Sequence, residues 1–278
     1  MICTDEVDRL IDIAFDEDFA QSADVTTDAI FPDGMGNGTY ILKAKDNGIL
    51  CGTQIVEMVF KKLDSSLKVD FMHSDGDFIS YGDVVAEIEG KIASILKGER
   101  TALNFICYLS AIATRTNEFV KAASPVKILD TRKTLPGYRR LAKYAVACGG
   151  AVNHRMGLYD MVMIKDNHID GAGSIAQAVK LVREKWGNRY KIEAETRNLT
   201  EVEEALRLDV DRIMLDNMDN QTIMKAVKMI NGKKEIEASG NMTLERVKTL
   251  ADSGIDYISV GELTHSVTVF DFSLVSGK

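Results

Sequence analysis

The 278-residue sequence has little of what marks membrane-spanning, secreted or zinc-cage proteins. Its longest stretch without a charged residue, residues 101 to 114, has 14 residues, whereas a membrane-spanning helix needs about 20 apolar residues. The cysteines Cys3, Cys51, Cys107 and Cys148 lie 41 or more residues apart, so the spacing predicts reduced, mostly structural thiols. The first residues are acidic and not basic, which does not fit a secretory signal, and we expect a cytoplasmic protein.

Acidic residues outnumber basic residues. The sequence has 34 basic and 42 acidic residues and a net charge of −8, without basic runs interleaved with aromatics, which argues against binding to nucleic acid. Residues 130–155 are the exception, with a local charge of +5. Basic clusters are often solvated helix faces. We expect Arg139, Arg140 and Lys143, which follow a Pro-Gly turn, to face water and to lie outside any site.

The hydrophobic pattern changes part way along the chain. The first third alternates like β-strands, with a tight Asn47-Gly48 turn of positive φ angles predicted between two of them, and a helix follows from about Glu99 to Ala123. Short apolar strands, each followed by a helical pattern, then predict a barrel-like parallel sheet. These strands are predicted at residues 126–130, 160–164, 190–195, 211–216, 235–239 and 256–260. The predicted helix N-caps are Asn198, Asp219 and Thr243.

Charged residues follow the predicted strands at their carboxyl ends, where barrel enzymes carry their active sites. The cations there are Arg132, Lys133, Arg155 and Lys165. They predict an anionic substrate, because guanidinium groups suit carboxylate and phosphate. Glu195 and Asp216 end two successive strands and predict a site for Mg²⁺ bridging phosphates. The alternative for Asp216 is a helix N-cap.

Glycine-containing loops follow the last two strands. Residues 239–241 (Ser-Gly-Asn) and 260–262 (Val-Gly-Glu) are predicted to hold a phosphate through main-chain N–H groups, although glycine after a strand is also a common turn. His154 is a candidate donor to an anion, and the alternative is a structural hydrogen-bonding role. His265 fits a structural or supporting role first.

Residues 130–168, DTRKTLPGYRRLAKYAVACGGAVNHRMGLYDMVMIKDNH, resemble the central signature of quinolinate phosphoribosyltransferases. The similarity continues at residues 98–104, 213–217, 238–240 and 259–265 and extends over nearly the whole chain. The resemblance implies an α/β fold with two domains. An N-terminal α/β sandwich would span residues 1–112 and be completed by 268–278, and an open six- or seven-stranded α/β barrel would span 113–267.

The resemblance also implies the reaction and the residues that perform it. The family transfers phosphoribosyl from phosphoribosyl pyrophosphate to quinolinate with Mg²⁺, releasing pyrophosphate and CO₂ and giving nicotinate mononucleotide for NAD biosynthesis. It acts as a homodimer with shared sites. By similarity, the quinolinate carboxylates are held by Arg132, His154, Arg155 and Lys165, with Arg100 of the partner subunit. The phosphoribosyl pyrophosphate and its metal are held by Lys133, Glu195 and Asp216. The ribose 5-phosphate is surrounded by Ser239, Gly240, Asn241, Gly261 and His265. The implied catalytic residues are Lys133, Lys165, Glu195 and Asp216.

Three positions depart from the family pattern, and four other functions fit part of it. Ala23, Ala151 and Asn241 stand where many members carry glycine; we expect Ala151 to stiffen the loop of His154. A relative could act on nicotinate instead or serve molybdenum transport. An aldolase would use Lys165 as a Schiff-base nucleophile, and a non-catalytic anion sensor would need the cations but not the two acids.

Overall fold

The computed structural model describes residues 4–20, 22–32 and 36–277. Cys3 and residue 278, the end of the segment predicted to complete the N-terminal domain, lie outside the described residues. The helices are α1 (Thr4–Phe19), α2 (Val25–Ile30), α3 (Thr53–Leu63), α4 (Ile92–Ala123), α5 (Arg139–Cys148), α6 (Asp166–Ala172), α7 (Ile175–Trp186), α8 (Leu199–Leu206), α9 (Asn220–Ile230), α10 (Leu244–Leu250) and α11 (Glu262–His265). The strands are β1 (Asn37–Ala44), β2 (Gly48–Ile49), β3 (Lys68–Phe71), β4 (Phe78–Ile79), β5 (Val84–Lys91), β6 (Lys127–Leu129), β7 (Val162–Ile164), β8 (Ile192–Thr196), β9 (Arg212–Asp216), β10 (Glu235–Ser239), β11 (Tyr257–Ser259) and β12 (Phe272–Ser276).

The chain divides into two compact units. The first comprises Met1–Thr116, Arg140–Gly150 and Ser266–Lys278, and the second comprises Asn117–Arg139 and Ala151–His265. The segment 140–150, which contains most of α5, is therefore grouped with the first unit, whereas the sequence placed it within the barrel. No helix of the described part of the chain is long and apolar enough to cross a membrane.

The first unit contains a four-stranded antiparallel sheet in the order β12-β1-β5-β3. Its outer strand β12 comes from the C-terminal segment and pairs Ser276 with Tyr40. Helix α4 begins at Ile92, earlier than predicted. Gly98 lies inside this helix, and a Cβ there would approach a ring carbon of Phe60 to 2.9 Å, so close packing requires glycine.

The predicted Asn47-Gly48 tight turn is wrong. Neither residue has a positive φ, and Gly48 lies in β2, which pairs with β4. The glycine is required for close packing, because a Cβ would lie 2.3 Å from Thr114 Oγ1. That same oxygen accepts a hydrogen bond from the Ile49 N–H at 2.9 Å.

The second unit is a six-stranded parallel sheet in the order β6-β11-β10-β9-β8-β7. It confirms the six predicted strands, although most are shorter at their ends. Asn198, Asp219 and Thr243 accept the predicted N-cap hydrogen bonds. Among the described residues β6 and β7 do not pair with each other, so the sheet remains open; only Val152 adds a bridge, to Leu129 of β6.

Candidate active site

One face of the parallel sheet is polar. Side chains alternate between the two faces of a strand, and the register places Glu193 of β8 beside Arg212 of β9, and Asp216 beside Ser239 of β10. The opposite face is aliphatic and fully buried, with Ile192, Ala194, Ile213 and Leu215. The polar face therefore carries charge along its length and ends, at the carboxyl edge, with Glu195, Asp216 and Ser239.

Two carboxylates and a lysine lie together at this edge. Lys165 Nζ is 3.8 Å from Glu195 Oε2. Burial and the negative charge of Asp216 raise the pKa of Glu195, and the charge of Lys165 opposes that rise. Asp216 Oδ2 accepts a hydrogen bond from Asn217 Nδ2 at 2.6 Å. Because Asp219, and not Asp216, caps the next helix, Asp216 is left for a role at the sheet edge.

Two arginines form a second group. Burial and the nearby charge of Arg132 lower the pKa of Arg155. Arg155 Nη1 donates to the Met161 carbonyl at 3.2 Å, and Arg132 Nε is buried without a hydrogen-bond partner among the described residues. Buried donors are normally paired. Two neighbouring guanidinium groups with a donor unused therefore suit a multiply charged anion.

The loops after β6 and β11 meet in a third group. A Cβ on Gly261 would lie 3.0 Å from His265 Nε2 and 3.1 Å from Lys133 Cδ. Thr264 Oγ1 donates to the Lys133 carbonyl at 2.7 Å and so joins the two loops. The structure thus brings together three residues that the sequence had assigned to phosphate contacts.

The loop after β10 is shaped by left-handed backbone conformations. Gly240 has a φ of 92°, and a Cβ there would lie 2.1 Å from Asn217 Oδ1. Asn217 in turn donates its main-chain N–H to the Ser239 carbonyl at 3.0 Å. Asn241 has a φ of 48°, a region that asparagine tolerates almost as glycine does. The departure from glycine at this position is thereby explained.

His154 belongs to a buried network that sequence reasoning missed. Its side chain is only 5% exposed, and Nε2 lies 3.1 Å from Glu193 Oε2 and 3.3 Å from Glu237 Oε2. Nδ1 accepts the Arg155 main-chain N–H at 2.7 Å. Burial lowers the pKa of His154, but hydrogen bonds to the two glutamates outweigh it and raise the pKa to about 9. The structural alternative for His154 is thus supported for Nε2, and ligand contact stays a prediction.

The network continues through the sheet face. Arg212 Nη1 lies 3.1 Å from Glu237 Oε2, and Nη2 lies 3.1 Å from Glu235 Oε2. Burial and the charge of Glu237 raise the pKa of Glu193 to about 7. The available signal was the Glu-x-Glu alternation within two otherwise apolar strands, since buried acids are rare unless they have partners.

The remaining predicted cations have different surroundings. Arg100 is exposed on α4 in the first unit, so its assignment to a shared site stays a prediction. The expectation that Lys143 faces water is wrong. Its residue is only 1% exposed, because the buried side of α5 includes residues 141 to 143. Arg140 Nε is 2.7 Å from Glu6 Oε2, and Arg139 Nη1 donates to the Met156 carbonyl at 3.2 Å.

A parallel sheet with cations, a carboxylate pair and two glycine loops at its carboxyl edge defines an α/β protein of the class that binds phosphorylated substrates there. The particular family follows from comparison with known proteins. Residues 24–110 match the quinolinate phosphoribosyl transferase N-terminal domain, and residues 112–275 match the C-terminal domain of the same family. The chain belongs to the quinolinate phosphoribosyltransferase family.

Individual proteins show the same similarity over nearly full length. The chain is 45% identical to the nicotinate-nucleotide pyrophosphorylase (carboxylating), chloroplastic, of Arabidopsis thaliana, over 98% of this chain and 83% of that protein. Among solved structures, NadC from Streptococcus pyogenes superposes with a TM-score of 0.95 at 38% identity, over 100% of this chain and 99% of the other. The nicotinate-nucleotide pyrophosphorylase from Francisella tularensis gives 0.93 at 37% identity, over 99% and 98%. These matches confirm the predicted family and mixed α/β fold.

Proposed function

We propose that this chain transfers phosphoribosyl from phosphoribosyl pyrophosphate to quinolinate with decarboxylation, giving nicotinate mononucleotide, pyrophosphate and CO₂ in NAD biosynthesis. The observation that carries the proposal is the placement of an arginine pair and a carboxylate pair at loops and strand ends of one polar sheet edge. An anion sensor has no use for the carboxylate pair. A Schiff-base aldolase has no use for the arginine pair or the glycine loops.

Quinolinate has two adjacent carboxylates, and the arginine pair offers guanidinium donors for them. Arg132 and Arg155 are close enough for one charge to lower the pKa of the other, and a bound dianion would relieve that repulsion. Each charge-assisted hydrogen bond contributes about 1.5–3 kcal/mol. Lys165 Nζ lies 3.8 Å from Glu195 Oε2, and we propose that it contacts a bound substrate from there.

Glu195 and Asp216 fit a magnesium ion. Burial and the negative charge of Asp216 raise the pKa of Glu195, and carboxylate oxygens are the ligands that Mg²⁺ prefers in phosphate sites. Bound Mg²⁺ would supply positive charge to the pyrophosphate that leaves. Lys133, with Gly261 and His265 beside it, would add a fixed cation and a main-chain N–H next to the phosphates.

The reaction needs no protein nucleophile, because the pyridine nitrogen attacks the ribose carbon with its own lone pair. The protein positions the two substrates and stabilises the charge that develops as pyrophosphate departs. The carboxylate next to the ring nitrogen then leaves as CO₂, and its electron pair stays on the ring carbon beside the cationic nitrogen. That carbon takes up a proton from solvent to give the product. The role of the chain in this step is to hold the remaining carboxylate with its arginines.

The test of this function is a substrate-choice assay. With phosphoribosyl pyrophosphate and Mg²⁺, the chain should release labelled CO₂ from carboxyl-labelled quinolinate and should not turn over nicotinate. EDTA should abolish turnover, and excess Mg²⁺ should restore it. The double variant Glu195→Gln/Asp216→Asn should lose turnover at all Mg²⁺ concentrations. Turnover of nicotinate alone, or retained turnover in the double variant, would contradict the assignment.

We also propose a homodimer whose sites combine the second unit of one subunit with Arg100 of the partner subunit. Arg100→Ala and Lys165→Ala chains, each inactive alone, should recover part of the activity when they are mixed, because one site of the heterodimer then has both residues. Heterodimers verified by mass spectrometry that remain inactive would show that Arg100 does not act across subunits.

We also propose a cytoplasmic location, whereas plant relatives are named chloroplastic or mitochondrial. Cell fractionation tests this proposal, and recovery in an organelle fraction would contradict it.

A further inference from the structure

Three side chains that the proposed reaction does not use meet inside the first unit. Cys51, Asp75 and Cys148 each place a ligand atom so that these atoms all lie within 4.8 Å of one another. Cys51 and Cys148 are 97 positions apart in the sequence, so no cysteine spacing could have indicated them. Cys51 is fully buried, whereas Asp75 and Cys148 are half-buried, which leaves one side of the cluster open to solvent.

The main chain holds each of the three residues in place. Cys51 donates its N–H to Ser110 Oγ at 3.0 Å, and the same hydroxyl donates to the Cys51 carbonyl at 3.2 Å. Cys148 ends α5, and the next residue, Gly149, packs so closely that a Cβ would lie 2.4 Å from the Ala113 carbonyl oxygen. Helix α4 therefore holds the main chain at Cys51 and directly after Cys148.

Both carboxylate oxygens of Asp75 accept hydrogen bonds. Oδ1 accepts the N–H groups of Gly52 and Thr53 at 2.9 and 3.0 Å, at the start of α3. Oδ2 accepts the Tyr144 hydroxyl at 2.6 Å.

The thiols interact with each other and with this carboxylate. Burial and a hydrogen bond with Cys148 raise the pKa of Cys51, while the hydrogen bond from Cys51 lowers the pKa of Cys148. The ligand atoms of the two cysteines and of Asp75 lie within 4.8 Å of one another. Two sulfurs and one carboxylate oxygen are a donor set that zinc accepts, with one further position for water.

We propose that Cys51, Asp75 and Cys148 form a binding site for a divalent metal ion of the zinc class, separate from the carboxylate pair of the second unit. Binding replaces the two thiol protons, which pass to solvent, and leaves thiolate sulfurs and the Asp75 oxygen on the metal. The ion would tie together three segments that are distant in sequence, around residues 51, 75 and 148. Its effect is on the stability of the first unit and not on the chemistry of transfer.

The experiment uses the full chain, kept in a non-thiol reductant, with Zn²⁺ and Co²⁺ as probes. We expect about one zinc per chain after removal of free metal, and Co²⁺ should give thiolate charge-transfer absorption together with strong visible bands of tetrahedral coordination. Cys148→Ser should lower retained zinc at least roughly tenfold and remove the charge-transfer band. Cys107→Ser, at a half-buried cysteine outside the cluster, is the matched control and should bind like the wild type.

Asp75→Asn tests the carboxylate without removing the cap, because the amide oxygen can still accept from Gly52 and Thr53. It should weaken zinc binding while its thermal midpoint without metal stays near that of the wild type. Zinc should raise the midpoint of the wild type and of Cys107→Ser but not that of Cys148→Ser. Wild-type protein that retains no zinc and shows no cobalt–thiolate band would overturn the proposal, as would a Cys51–Cys148 disulfide forming readily in air in protein that binds no metal when reduced.

Discussion

The buried cluster of His154, Glu193 and Glu237 makes a strong prediction for Glu237→Gln. The Glu237 side chain has 0% exposure, and its Oε2 lies 3.1 Å from Arg212 Nη1 and 3.3 Å from His154 Nε2. The substitution keeps the shape but removes the buried carboxylate that Arg212 and His154 share. Breaking a buried ion pair costs about 3–5 kcal/mol. Because glutamine still offers an oxygen acceptor, we expect the lower end, about 3 kcal/mol.

Thermal unfolding followed by circular dichroism measures this loss. For a domain of this size, 1 kcal/mol lowers the thermal midpoint by about 2–4 °C, so Glu237→Gln should lower it by about 6–12 °C. Glu235→Gln is the matched control: Glu235 contacts the same Arg212 at 3.1 Å, but its side chain is 40% exposed. Water screens that pair, and we expect a loss of about 1 kcal/mol or less.

The pH dependence of stability provides an independent check. The pKa of His154 is about 9 in the folded protein and 6.5 in its ordinary state, so its stabilising effect is complete below pH 6.5 and is lost as pH rises through 9. This loss of folding stability is at most about 3 kcal/mol. The limit applies because His154 Nδ1 accepts the Arg155 main-chain N–H, which opposes the binding of a second proton to the ring. Glu193, with a pKa of about 7 against 4.5, destabilises the fold increasingly from pH 4.5 to 7.

The thermal unfolding midpoint of the wild type should therefore decrease as the pH rises from 6 to 9. The decrease should be less steep in Glu237→Gln. Equal slopes in the two proteins, or a Glu237→Gln variant as stable as Glu235→Gln, would refute the reasoning.

Two other changes follow from the site. Gly240→Ala should raise the KM for phosphoribosyl pyrophosphate and destabilise the fold by about 1–3 kcal/mol, because its Cβ would lie 2.1 Å from Asn217 Oδ1; in Gly232→Ala, also at positive φ but with nothing within 4 Å, the KM should not change. Arg132→Ala should raise the KM for quinolinate roughly 10- to 100-fold, the equivalent of one charge-assisted contact, with the thermal midpoint nearly unchanged. Steady-state kinetics checks both, and a quinolinate KM unaffected by Arg132→Ala would remove that residue from the site.

The strands and caps of the second unit were predictable because their signals are local. Apolar runs with turn residues define the strands, and Asn198, Asp219 and Thr243 each act on the helix that they precede. The charged ends of the strands were predictable for the same reason. Their grouping into pairs, such as Arg132 with Arg155, depended on the sheet order and could be stated only as an expectation.

What the sequence could not show depends on contacts between distant segments. The charges of Glu193 and Glu237 lie in buried strands, and their partners come from β9 and from the loop of His154. Gly48 suggested a turn, yet glycine is needed there because another element packs against it. The meeting of Cys51 with Cys148 likewise follows from tertiary packing alone.

The division of β8, β9 and β10 into a charged face and an aliphatic face has a consequence for how the strands find their partners. A shift of the pairing register by one residue in any of these strands would turn its charged side chains toward the aliphatic face and its isoleucine side chains toward the charged face. Misaligned sheets are thus heavily penalised on both sides at once. The charged face and the correct strand register therefore depend on the same positions, so a substitution at one of them affects both.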